Sequence, residues 1–121
     1  MKVYCYSRCT TCKKALAWLN EKNIEFEEKD IKGEHPSQEE LTEWYKKSGL
    51  PLKRFFNTSG KLYKDMQLKD KLKEMSEEEQ LALLATDGML VKRPLVVGDD
   101  FVLTGFKEAE WTEALLSSHN E

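Results

Sequence analysis

Cys9-Thr10-Thr11-Cys12 constrains this chain more than any other stretch, because two thiols three positions apart fall where a short apolar strand gives way to an amphipathic helix. Lys2-Val3-Tyr4-Cys5-Tyr6 is β-branched and aromatic, Ser7-Arg8 breaks the run, and from Cys12 the apolar positions Ala15, Leu16 and Leu19 keep a helical period. The spacing predicts that the pair caps a helix. A thiol there faces unpaired backbone N–H groups and the positive end of the helix dipole, which favour thiolate over thiol. Arg8, Lys13 and Lys14 add positive charge, and no carboxylate opposes them before Glu21. Cys9 is therefore the expected nucleophile. Cys12, one helical turn further in, is the expected resolving thiol, able to close an intramolecular disulfide with Cys9.

The rest of the composition agrees with reactive chemistry in a reducing compartment. A chain of 121 residues has room for one domain that hides roughly two thirds of its unfolded surface without a disulfide scaffold. Three cysteines, two of them close together, do not make a secreted framework. No apolar leader and no stretch approaching the ~18 apolar residues of a membrane span is present, so the expected location is the cytoplasm. Nineteen Lys and Arg against twenty-two Asp and Glu give a formal charge of −3 with no basic block, which disfavours direct nucleic-acid binding.

Along the chain, Ile24 to about Ile31 reads as a second strand, parallel to the first through a right-handed βαβ link. Ser37 with Glu40 forms a capping box that opens a helix through Leu41, Trp44 and Tyr45, ending at Gly49. A short helical segment over 50–56, a loop over 57–60 and further helix from Tyr63 to Leu72 follow. A second capping box, Ser76 with Glu79, opens a helix that Gly88 is expected to close. Leu95-Val96-Val97, the turn Gly98-Asp99-Asp100 and Phe101-Val102-Leu103-Thr104 form a β-hairpin, and a last helix runs from Glu108 to about Ser117 before a polar tail. The predicted architecture is α/β: a thioredoxin-like, glutaredoxin-type four-stranded mixed sheet over residues 1–121, with helices on both sides and a helical insertion at about 36–88.

Arg93-Pro94 leads directly into a strand, where a proline gives up a ladder donor and belongs at the first residue or an edge. In this architecture a cis bond is the expected reason. The strand would set Pro94 against the thiol pair, where the Arg93 backbone meets an extended sulfur substrate and its guanidinium clamps an anion. Arg8, Thr10 and Thr11, which flank Cys9, complete the candidate substrate or anion contacts.

Taken together, Tyr6-Ser7-Arg8-Cys9-Thr10-Thr11-Cys12-Lys13-Lys14-Ala15, Lys92-Arg93-Pro94 and Gly105-Phe106-Lys107-Glu108 closely resemble the ArsC/Spx family, the glutaredoxin-type arsenate reductases and the Spx regulators, over essentially the whole chain. The resemblance implies a thioredoxin-like fold with a helical insertion, Cys9 as nucleophile and Arg93 as the oxyanion-binding arginine before the proline. It implies a thiol–disulfide oxidoreductase acting on a thiol-linked substrate or arsenate. It also implies no bound cofactor, the pair being reset by an external thiol donor such as glutathione, glutaredoxin or a thioredoxin-like protein. Two further arginines that the reductases use are replaced here by Asn57 and Gly105. At roughly 1.5–3 kcal/mol per charge-assisted contact, that loss weakens the hold on a multiply charged oxyanion by several kcal/mol. The alternative that the resemblance implies is a redox-switched regulator that binds the C-terminal domain of the RNA polymerase α subunit without touching DNA.

Plainer readings compete at each position. C-x-x-C is also half of a zinc site, but four ligands are needed and only Cys5, His35 and His119 remain, at unsuitable spacing, so no metal is expected. Cys5 alternates with Val3 on a buried strand and reads as a packed core thiol. Arg93 would alternatively cap a helix end or pair with Asp87. Trp18, Trp44 and Trp111 fit core packing better than a ligand cage. Lys13, Lys14, His35 and His119 read as solvated surface residues, and Asn57, Thr58 and Gly60 as a plain turn in preference to a substrate-side loop.

Overall fold

The computed structural model describes residues 1–116. The predicted end of the last helix at Ser117, the polar tail and His119 lie outside the described residues. Four strands form one mixed sheet in the order β2-β1-β3-β4. They are β1 (Lys2–Cys5), β2 (Glu27–Asp30), β3 (Leu95–Val97) and β4 (Val102–Thr104). β1 pairs parallel with β2, from Lys2 opposite Glu27 to Cys5 opposite Asp30, and antiparallel with β3, Tyr4 facing Leu95. β4 closes the expected hairpin antiparallel to β3: Leu95 faces Thr104 and Val97 faces Val102.

The side-chain period of two along β1 decides which helices lie on which face. Val3 and Cys5 point into a core with Val96, α1 (Thr10–Glu21) and α6 (Glu108–Leu115). Tyr4 points the other way with Leu95 and Val102, into a core covered by α2 (Gln38–Ser48) and α5 (Glu77–Leu84). Between these last two helices run a 3₁₀ turn at Leu52–Phe55, α3 (Lys61–Asp65), α4 (Leu68–Lys71) and a second 3₁₀ turn at Leu72–Glu74. The thioredoxin-like sheet with helices on both sides is thus as the sequence predicts, and Trp18, Trp44 and Trp111 are all buried in it.

Local signals set most helix limits. Both capping boxes form: Ser37 Oγ accepts from the Glu40 N–H at 3.1 Å, Ser76 Oγ from the Glu79 N–H at 3.1 Å, and each glutamate returns the bond to the serine N–H. Gly49 ends α2 at φ +68°, a left-handed conformation that glycine adopts without a Cβ penalty. Three expectations are corrected. β2 is shorter than 24–31, because the Ile24 N–H turns back to the Leu19 carbonyl at 3.0 Å as part of the exit from α1, leaving only the acidic edge segment to pair. The helix expected from Tyr63 to Leu72 breaks at Met66-Gln67, where Gln67 takes φ +55°. Gly88 does not close α5, which ends at Leu84. It opens a 3₁₀ turn, Gly88–Leu90, in a place where a Cβ would collide with the Ile31 carbonyl.

Trp111 ties α6 to the far end of β4. Fully buried, it stacks edge-on against Phe106 at 4.8 Å and Trp18 at 5.9 Å, and its Nε1 donates to the Gly105 carbonyl at 3.0 Å. Trp111→Phe keeps an aromatic ring but strands that carbonyl. It is expected to lower unfolding free energy by about 1–3 kcal/mol, read from the shift in urea midpoint at unchanged slope.

Candidate active site

Cys9 is the N-cap of α1, in extended backbone at φ −87° and ψ 117°. Its N–H donates to the Tyr6 carbonyl at 2.9 Å, closing the turn that carries the chain off β1, and its carbonyl accepts the first helical bond from Lys13 at 3.1 Å. The side chain makes no capping bond, so the thiol is left partly exposed above the free N–H groups of the first turn, where no acidic residue lies. Cys12, one turn along, is 1% exposed, and Cys5, at the end of β1, is 3% exposed. All three are free thiols packed in one cluster.

The electrostatics single out the inner sulfur. The Cys12 thiol is pulled below its ordinary range, first by a hydrogen bond with Cys5. Burial opposes the shift, but the Tyr6 backbone, the Cys9 thiol and the charge of Arg93 reinforce it. Cys5 moves the other way, raised by the same hydrogen bond and by burial. Cys5 is therefore buried as expected, and it is also the hydrogen-bond partner of Cys12. Sequence reasoning missed this, because only the β1–α1 packing brings the two together.

Cys9 opens onto a cavity of about 600 Å³. Thr11 and Arg93 line it with Cys9, whereas Arg8 and Thr10 are exposed and Pro94 is buried, all three outside its walls. Successive helix positions are turned by about 100°, so only one of the two threonines faces the cavity. The Arg93-Pro94 peptide bond is cis, as expected from the sequence. Arg93 neither caps a helix nor meets Asp87, whose carboxylate is taken by the Met89 N–H at 2.9 Å. Its guanidinium lies over the Tyr6 ring at 5.2 Å and donates through Nη1 to the Met89 sulfur at 3.2 Å. Both neighbours are uncharged, so they orient the cation without neutralising it.

The remaining walls come from residues not singled out as site candidates. The Lys92 N–H donates to the Phe55 carbonyl at 2.8 Å and the Asn57 N–H to the Leu90 carbonyl at 2.7 Å, which draws Arg54, Phe56 and Asn57 up to the segment before β3. Arg54 is held by Glu110 at 3.1 Å. Asn57 and Gly60 close a turn, the Gly60 N–H on the Asn57 carbonyl at 3.0 Å, and that turn is itself part of the wall. Thr104, Gly105, Phe106 and Lys107 form the opposite stretch. Among the described residues, no group of His, Cys, Asp and Glu gathers as a metal site would require, and no helix is long and apolar enough to cross a membrane.

A C-x-x-C at the first helix of a β-α-β, β-β-α sheet, faced by a cis-proline segment, defines a thioredoxin-like domain. The chain belongs to the ArsC family, whose model matches residues 4–114. It is similar to YusI of Bacillus subtilis, 54% identical over 91% of this chain and 93% of that one. It is also similar to the regulatory protein MgsR of the same organism, 30% identical over 88% and 83%. Among solved structures, an ArsC family related protein from Bacteroides fragilis superposes with a TM-score of 0.90 at 54% identity, covering 93% of this chain and 94% of that one. A "possible arsenate reductase" from Streptococcus mutans UA159 gives 0.82 at 42%, covering 88% and 90%.

The sulfur arrangement predicts a titration. In a Cys9→Ser protein, thiolate absorbance in the near ultraviolet should show one group ionising below the ordinary thiol range. Adding Cys5→Ala, which removes the largest cause of the lowering, should move that ionisation upward, and an unmoved titration would contradict the assigned cause.

Proposed function

We propose that this protein is a thiol–disulfide oxidoreductase of the ArsC/Spx type. The observation that carries the reading is a partly exposed Cys9 thiol at a helix N-terminus and at the wall of a cationic cavity, with the thiolate-favouring Cys12 buried one turn behind it.

In the reaction, the Cys9 thiolate attacks one sulfur of a substrate disulfide. A Cys9–sulfur bond forms, the substrate S–S bond breaks, and the other half leaves as a thiolate. Cys12 thiolate then attacks Cys9 Sγ, forming the Cys9–Cys12 disulfide and expelling the second half. Two electrons pass from the cysteine pair to the substrate, and an external thiol donor such as glutathione or a glutaredoxin-like protein returns them. The inner thiol's acidity serves the second step, since resolution requires it as an anion. Arg93 supplies positive charge to a substrate anion and to the developing thiolates. Arsenate is the less favoured substrate: Asn57 and Gly105 stand where the reductases use arginines, and Arg54 already carries Glu110.

The test is single-turnover reduction of a glutathionylated substrate, with arsenate in parallel. Cys9→Ser is expected to abolish turnover, and Cys12→Ser to accumulate a mixed disulfide on Cys9 visible by mass spectrometry. Equal, undiminished activity in both variants refutes the assignment.

A second reading, a redox-switched regulator that binds the RNA polymerase α subunit, is favoured by the likeness to MgsR, which is named as a regulatory protein. Capture of the α subunit that depends on the oxidation state of Cys9 and Cys12, without any turnover, is the outcome that selects it.

A further inference from the structure

Thr104 is a buried polar residue in an otherwise apolar interior, 2% exposed, and its Oγ1 has no hydrogen-bond partner among the described residues. A buried hydroxyl left unpaired is destabilising, a cost that a valine of the same shape would avoid. The residue ends β4, faces Leu95 across the hairpin, and lines the cavity that Cys9 shares. Thr104 therefore borders the space where the substrate of the proposed reaction would lie, with its unpaired hydroxyl just beneath the wall.

Its surroundings are cationic. Gly105, at φ +72°, has no side chain, and the Lys92 stem passes over it with Cε 3.0 Å from where a Cβ would stand. Lys107 lines the same stretch. Neither ammonium has an ion-pair partner among the described residues, in contrast to Arg54. The cavity, at about 600 Å³, lies in the range of small organic ligand sites and far exceeds one tetrahedral oxyanion, and Phe56, Phe106 and Pro51 give it apolar wall. Lysines act as point charges on flexible stems, without the planar fork by which arginine grips a multiply charged oxyanion.

We propose that Thr104, Lys92 and Lys107 form a second anion subsite around Gly105, beside Arg93, and that the small thiol-linked substrate attacked by Cys9 carries a carboxylate that docks there. The Thr104 hydroxyl, turned about χ1 toward the cavity, donates to a carboxylate oxygen, the neighbouring ammonium groups neutralise it, and the organic body lies along the aromatic wall. Thr104 is a substrate-binding residue here, and takes no part in the sulfur exchange. The inference rests on the oxidoreductase reading for its substrate, but the subsite is tested separately.

Two disulfides that release a coloured thiol serve as probes: dithiobis(nitrobenzoate), which carries a carboxylate on each ring, and dithiodipyridine, which carries none. Reduced protein is expected to react faster with the first than the second, after correction for their reactions with free thiol. Thr104→Val should cut that ratio about tenfold, and Thr104→Ser should restore it. A ratio that Thr104→Val leaves in place, or two rates that fall together, overturns the subsite. Equilibrium binding of S-methyl thionitrobenzoate, which cannot exchange, supplies the independent arm. Binding that Thr104→Val abolishes supports the subsite even if Cys9 proves inert toward both disulfides, an outcome that refutes the oxidoreductase reading alone. Absence of binding overturns the subsite even if exchange is fast. Removing an unpaired hydroxyl should leave the Thr104→Val unfolding midpoint equal to or above the parent's.

Discussion

The pairing of β1 with β3 in one register is the constraint from which the site follows. Tyr4 opposite Leu95 sets Arg93-Pro94 against the residues that leave β1, Cys5 and Tyr6, and Leu95 opposite Thr104 sets Gly105 against Pro94, with the Gly105 N–H on the Pro94 carbonyl at 2.9 Å. The Tyr6 carbonyl in turn holds the N–H of Cys9. A slip of one residue would move Val3 and Cys5 to the opposite face and Tyr4 into the α1–α6 core, so burial on both faces enforces the alignment. Trp111 fixes the last piece, because its indole occupies the Gly105 carbonyl while Pro94 occupies the Gly105 N–H. The cavity wall at Gly105 is therefore as rigid as the sheet behind it.

Charge is distributed along this frame with a division of roles. Cys12 and Cys5 share a hydrogen bond deep in the α1 face, and the sharing moves their acidities apart: the Cys12 thiolate is favoured, and its donor Cys5 stays protonated. Cys9, the accessible sulfur, adjoins the pair from outside. Arg93 reaches toward the same cluster while resting on Tyr6 and Met89, neighbours that fix a guanidinium without cancelling it. A carboxylate in either place would have consumed the charge on which an anion depends.

What the sequence disclosed was what short-range physics decides. Ser37 with Glu40 and Ser76 with Glu79 are reciprocal bonds within one turn, and they sit where the spacing put them. The strand-to-helix switch at Cys9 and the hairpin around residues 98–100 were legible for the same reason, and the cis Arg93-Pro94 bond through the architecture those elements implied. Gly88 misled because glycine after a helix commonly marks its end, whereas here its missing Cβ admits the Ile31 carbonyl, a contact across 57 positions that no local pattern encodes. The partners of Arg93, the union of Cys5 with Cys12 and the unpaired hydroxyl of Thr104 are likewise products of tertiary packing. Cys5 and Thr104 read as core and strand filler, and Arg93 as an anion clamp whose plainer partners are a helix end or Asp87. Lys92 and Lys107 lay within the stretches that carried the family resemblance, yet lysine is too common on surfaces for its type alone to single it out.

In the proposed reading, Asn57 and Gly105 in place of the reductases' arginines change what the cavity recognises more than how much charge it holds. At Gly105 the stem of Lys92 lies beside the place a side chain would start, so a cation returns to the region from the neighbouring segment. The returned cation is a mobile point charge, and near Asn57 the local arginine, Arg54, is bound to Glu110. A tetrahedral oxyanion gains most from planar forks converging on a small volume. A larger organic anion gains from dispersed charges along an apolar wall, because its body contributes by burial and its carboxylate needs only a donor and a neutralising charge. The cavity beside Cys9, with one guanidinium at Arg93, ammonium groups near Gly105 and aromatic rings between the polar groups, has the second arrangement.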